Sequence, residues 1–112
     1  MRVIITQRDA PLPLPAAAAG GLVASPGGQD AATEMLARIN IVAIVASGTA
    51  VRLRNILGGQ QTILNRGTFD LSVYPSDGTQ IEGYGLNQPA LVSVGGMATF
   101  SYDNATTWFV TQ

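Results

Sequence analysis

Asp70 and Glu82 come nearest to a catalytic pair in this chain. Two carboxyls on neighbouring strands could act as general acid and nucleophile on a glycosidic bond. The surrounding sequence gives no ground for a raised carboxyl pKa, and both residues suit a solvated strand face. Asp77, Asp103 and Asn104 offer loop oxygens of the kind calcium takes. No D-x-D-x-D-G run accompanies them, and Asp and Asn are ordinary turn residues. Arg52 and Arg54 leave one strand on the same side, where they could meet a neighbour's acids or water. Tyr74, Tyr84, Tyr102 and Phe109 could form a sugar-binding platform, although aromatic residues on strands more often fill a core or a subunit interface.

The absent residue types narrow the chemistry further. The 112 residues include no Cys, no His and no Lys. Thiol catalysis, disulfides and Cys-based metal sites are excluded. So are His-dependent triads, P-loops and Schiff bases. No catalytic, cofactor-binding or metal site is therefore expected, and the chain reads as a non-enzyme without cofactors. Six Arg against seven acidic residues leave a net charge of −1, with no basic field for nucleic acid. Charged residues make up 12% of the chain, about half the usual ~25%. A surface so poor in charge does little to keep molecules apart, so the composition points to a subunit packed against copies of itself.

Two compositions divide the chain. Residues 1–38 read as an extended Pro/Ala/Gly-rich arm, with a short helix over 30–37 that Asp30 would cap. In the arm, Val3, Ile4 and Ile5 could add a strand to a neighbour, and Leu12 and Leu14 alternate with Pro11, Pro13 and Pro15. These five apolar residues are the expected arm interface. The longest apolar run, Ala10–Ala24, is too short to span a bilayer and is broken by proline and glycine. Val3–Ile5 is cut off at once by Thr6–Asp9, so no signal-peptide core forms and the N-terminus reads as mature protein.

From Ile39 the period changes to two, and 39–112 read as a β domain. Ile39–Ala46 is β-branched and apolar on both faces. Thr68–Tyr74 alternates Phe69, Leu71 and Val73 with Asp70, Ser72 and Tyr74. Asp77-Gly78 and Gly95-Gly96 signal tight hairpins. Seven or eight short strands predict an all-β fold, a small antiparallel sandwich or barrel. Its expected core includes Phe69, Leu71, Val73, Phe100 and Trp108. Below about 70–80 residues a single core rarely supplies more than ~3–5 kcal/mol. Disulfide and metal staples are excluded, so oligomerisation is expected, through Ile41, Ile44, Arg52, Arg54 and Tyr74 on the β domain.

The last 60 or so residues carry a recurring set of motifs: Val51-Arg52-Leu53; Ile63, Asn65 and Gly67; Val73-Tyr74-Pro75 with Gly78, Ile81 and Gly83; and Gly95-Gly96 with Phe100 before Trp108. This pattern resembles a small β domain found in virion proteins of tailed bacteriophages. The resemblance implies a phage structural protein, either a capsid decoration (cement) protein or a head-fibre or spike component. The leading expectation is a homotrimeric decoration protein on the head exterior, made in the host cytoplasm. Its partners would be itself and the major capsid protein or neighbouring virion subunits, with no nucleic acid and no membrane. The alternative is a fibre or spike-tip adhesion module that binds host surface polysaccharide. The arm lies outside the resemblance.

Overall fold

The structure, a computed structural model, describes residues 16–54, 59–103 and 105–112. Its chain winds between two facing sheets. Strand β1 (Ala16–Val23) lies in the first sheet and β2 (Thr33–Glu34) in the second; β3 (Ala37–Ile44) returns to the first, β4 (Ala50–Arg52) to the second, β5 (Gln60–Asn65) to the first and β6 (Leu71–Tyr74) to the second. All pairings within these two stacks are parallel: β1 with β3 and β3 with β5, β2 with β4 and β4 with β6. Thr33 lies beside Val51 and Ile39 beside Thr62, so one circuit takes 18 to 23 residues (33 to 51, 39 to 62). This is the winding of a short parallel β-solenoid, in which each circuit buries its inner face on the next.

The C-terminal part closes the far end. Strand β9 (Ala90–Val92) runs antiparallel to β6, and β10 (Met97–Tyr102) lies antiparallel between β5 and β11 (Thr107–Thr111). Strands β7 (Gln80–Ile81) and β8 (Gly85–Leu86) extend the first sheet beyond β11. The result is a seven-stranded sheet ordered β1-β3-β5-β10-β11-β7-β8 facing a four-stranded sheet ordered β2-β4-β6-β9. Between them lie Trp108, Phe100, Met35, Leu53, Ile63, Leu71, Val73 and Ile81, all fully buried. Trp108 stacks on Tyr102 with ring centroids 4.7 Å apart, and its indole N–H donates to Thr79 Oγ1 at 3.2 Å. No helix among the described residues is long and apolar enough to cross a membrane.

The all-β class holds, and four departures from the sequence reading have physical causes. The sheets are mixed rather than antiparallel, because the chain crosses to the facing sheet after each strand from β1 to β6, and the two expected glycine hairpins cross as well instead of folding back. Pro75–Gly78 leads from β6 to β7, and Gly95-Gly96 from β9 to β10. The helix expected over 30–37 is a single 3-10 turn, Gln29–Ala31, because Ala32 is already extended and Thr33 and Glu34 pair with Val51 and Arg52. The boundary at Ile39 does not separate an arm from a core: Ala24, Met35 and Ala37 are buried, and β1 is a strand of the large sheet. Phe69 is 49% exposed and leaves the expected core, whereas Leu71, Val73, Phe100 and Trp108 stay in it. The alternation starts only at Leu71, because the Asn65 amide donates to the Phe69 carbonyl at 2.8 Å and holds 66–69 as a bend.

Candidate functional site

Arg38 is the one charged residue in the seven strands of the large sheet. The inner positions of β3, β5 and β10 are buried, as is Trp108 on β11, so the outer face belongs to the alternate residues. Ile39, Thr62, Thr99 and Thr111 lie in one row across β3, β5, β10 and β11. Ile41, Leu64 and Met97 form the next row, and Gln60, Ser101 and Phe109 lie on the other side. Met97 is 56% exposed, and Ile39 and Phe109 are 43% exposed. The polar groups of this face bond to each other: Thr62 and Thr99 hydroxyls at 3.0 Å, and Gln60 Nε2 to Ser101 Oγ at 3.0 Å. Apolar side chains among mutually satisfied neutral hydroxyls and amides are easy to take out of water, because no charge is desolvated and few polar groups lose partners. Protein interfaces are depleted of charge at their centre in the same way.

The outer face of the small sheet is different. Glu34, Arg52 and Tyr74 line up across β2, β4 and β6. Arg52 Nη1 donates to the Gln29 carbonyl at 3.1 Å, and Gln29 Nε2 donates to the Pro75 carbonyl at 2.9 Å and to Asn87 Oδ1 at 3.0 Å. Arg52 therefore braces its own chain.

The residues singled out in the sequence are dispersed over this frame. Val3, Ile4, Ile5, Leu12 and Leu14 lie outside the described residues. Ile41 faces outward on the large sheet, half-buried, and Ile44 is 58% exposed at the end of β3. Arg52 and Tyr74 lie on the other sheet and Arg54 just beyond β4, so the five expected interface residues of the β domain do not form one patch. Asp70 precedes β6 of the small sheet and Glu82 follows β7 of the large one. Asp103 Oδ1 accepts backbone N–H groups of Thr107 (3.1 Å), Ala105 (2.8 Å) and Thr106 (3.0 Å), which hold its carboxyl below the usual aspartate range. An oxygen so occupied belongs to a turn. Asn104 lies outside the described residues, and no group of three or more acidic side chains capable of holding a metal occurs among the described ones. The four aromatic residues are also divided: Tyr74 lies on the small sheet, Phe109 on the large one and Tyr84 between β7 and β8, while Tyr102 packs on Trp108.

Three buried amides hold the winding together, and of these the sequence marked only Asn65, as part of a turn motif. Gln61 Nε2 donates to the carbonyls of Met35 (2.9 Å) and Ala37 (3.0 Å), while its Oε1 accepts from Arg54 N–H at 2.8 Å. Asn65 Nδ2 donates to the carbonyls of Phe69 and Val92, and its Oδ1 accepts from Gly67 N–H at 2.9 Å. Asn40 closes on both the N–H and the carbonyl of Ala37. Gln61 and Asn65 bond groups at corners where ladder bonds end, and Asn40 closes on the first residue of its own strand. For Gln61 and Asn40 a polar residue at an inner β position is the only sequence signal. No family model, curated protein or solved structure matches the chain.

Proposed function

We propose that this protein is a non-enzymatic structural subunit of a phage virion, a capsid decoration protein that assembles with copies of itself as a trimer. The observation that carries the reading is the outer face of the large sheet, which holds one charged residue, Arg38, and is centred on Ile41, Leu64 and Met97. A freely diffusing molecule gains nothing from an uncharged, partly apolar sheet face, whereas a subunit interface is made of such a surface. The virion assignment rests on the resemblance of the last 60 or so residues to phage β domains. On the head exterior, subunits joined through this face would tie neighbouring capsomers together by adding buried area at their junctions.

The size of the face sets a condition. Its four outermost-paired strands, ~4.8 Å apart and about five residues long, present a projected area of roughly 300 Å². A standard interface buries about 800 Å² on each partner. Further contacts must therefore join in, from loops or from the N-terminal arm. Sedimentation equilibrium tests the assembly: a mass three times the 11.6 kDa of the chain is expected, and a monomer at all micromolar concentrations overturns it. An image of the particle in which added mass tagged to this chain lies on the head exterior supports decoration. Mass at a fibre or spike tip would favour the adhesion module instead.

A further inference from the structure

At one corner of the solenoid the core surface is left open. Residues 43–46, at the end of β3 and just beyond it, and 67–69, between β5 and β6, line a shallow depression of about 330 Å³. Ile44 and Phe69 line it with 58% and 49% of their surface exposed. No charged residue lines it. Gly67 keeps it shallow and firm: a Cβ there would come within 2.5 Å of the Val45 Cβ, so the two corners touch backbone to side chain and cannot close further over the gap. An uncharged depression with an exposed phenyl ring is the kind of surface on which proline-rich segments dock, because the extended proline helix is already formed and loses little entropy on binding.

The chain contains one such segment, Pro11-Leu12-Pro13-Leu14-Pro15, directly ahead of β1. It is as free of charge as the depression, and its leucines can enter shallow apolar hollows. The register of β1 decides whose depression it can reach. Ala16 lies beside Ala37 at the start of β3, and Val23 lies beside Ile44 at its end. From Ala37 to Ile44 is seven residues, or about 23 Å. Leu14 is two residues from Ala16 and Leu12 four, so they reach at most ~7 Å and ~14 Å from it. Neither leucine's backbone reaches the depression of its own molecule, and the arm would have to reverse along β1 to approach it. We infer that Pro11–Pro15 docks in the Ile44–Phe69 depression of a second copy, so that neighbouring subunits are linked by their arms as well as by the sheet face. The inference rests on the assembly proposed above, and it adds a contact to that assembly.

The absence of cysteine makes a direct test clean. Full-length Leu14→Cys and Thr68→Cys variants, one of them isotopically labelled, are mixed and oxidised, and the products are weighed. A covalent pair containing one chain of each kind is expected, about tenfold above the same mixture with Ser72→Cys, a position on the small sheet, in place of Thr68→Cys. Adding Phe69→Ser to the Thr68→Cys chain should reduce the pair to the control level. A yield no higher than the control overturns the inference, as does a bond formed within a single chain carrying both cysteines at high dilution. Sedimentation of the unmodified protein alongside separates the two readings. An oligomer without the cross-link removes only the arm contact; a monomer removes the assembly as well.

Discussion

The two sheets share one core but present opposite exteriors. The small sheet carries Glu34, Arg52 and Tyr74 on its outer face, and Arg52 is tied to its own chain through Gln29. The large sheet shows isoleucine, leucine, methionine, phenylalanine and threonine, with its hydroxyls paired across strands. The inner faces are alike because both meet the same apolar interior, whatever lies outside. The outer faces differ in what they offer: one carries charges that suit water, and the other carries almost none. In a chain with so few charges, where the charges lie says more than how many there are. They are concentrated in the loops and the small sheet and nearly absent from the large one.

The comparison requires first that the sheets form one cooperative body. Trp108→Ala removes the largest buried side chain, together with its contact to Tyr102 and its bond to Thr79. A loss of about 3–5 kcal/mol is expected. Urea unfolding should remain a single transition, and hydrogen exchange should accelerate in both sheets together; loss of protection in the large sheet alone would show that the two are separate units. Next in size is Gln61→Ala, which strands two carbonyls and one N–H at a buried corner. About 2–3 kcal/mol is expected, again read from the urea midpoint, and an unchanged midpoint would mean that water replaces the amide.

The difference between the exteriors is tested by placing the same charge on each. Leu64→Asp should weaken self-association about tenfold to a hundredfold while leaving the unfolding of the subunit itself within about 0.5 kcal/mol. Ser72→Asp should change association less than about twofold, because its sheet faces water. Equal effects in sedimentation would erase the distinction between the two exteriors. The smallest effect concerns the β10–β11 turn of the large sheet. The N–H bonds from Thr107 and Ala105 hold the Asp103 carboxyl below its ordinary pKa. A depressed folded-state value adds stability above the unfolded pKa, which is lost as pH falls through the folded one. Asp103→Ala should therefore lower the urea midpoint slightly at pH 7, with the difference from the parent shrinking below about pH 4. A difference that stays constant down to pH 2 would mean that the carboxylate plays no part.

Particular residues show how far sequence reading carried and where it stopped. Leu71, Val73, Phe100 and Trp108 were legible as core, because alternation names the inner face of a strand without knowing its partners. Phe69 fits the same alternation but belongs to a bend set by an amide four residues earlier, which the pattern of apolar residues does not report. The alanine and glycine stretch Ala16–Val23 has no β preference of its own and reads as linker. It becomes a strand because β3 lies beside it. The candidate face escaped notice because its members come from four strands distant in sequence, and each shows only two or three of its residues.

What the sequence determined by itself was local and subtractive. It specified the all-β class, the places where the chain turns, most of the core, the scarcity of charge and the exclusion of histidine, cysteine and lysine chemistry. These follow from residue types and a period of two, which act over a few neighbouring positions. The tertiary structure alone decided which sheet each strand joins, that the stacks are parallel, and that the uncharged positions gather on one face. A turn such as Asp77-Gly78 or Gly95-Gly96 has the same local chemistry whether it folds back into a hairpin or crosses to the facing sheet. The choice is made by contacts twenty residues or more away, where Gln61 reaches Met35 and Ile39 comes to lie beside Thr62.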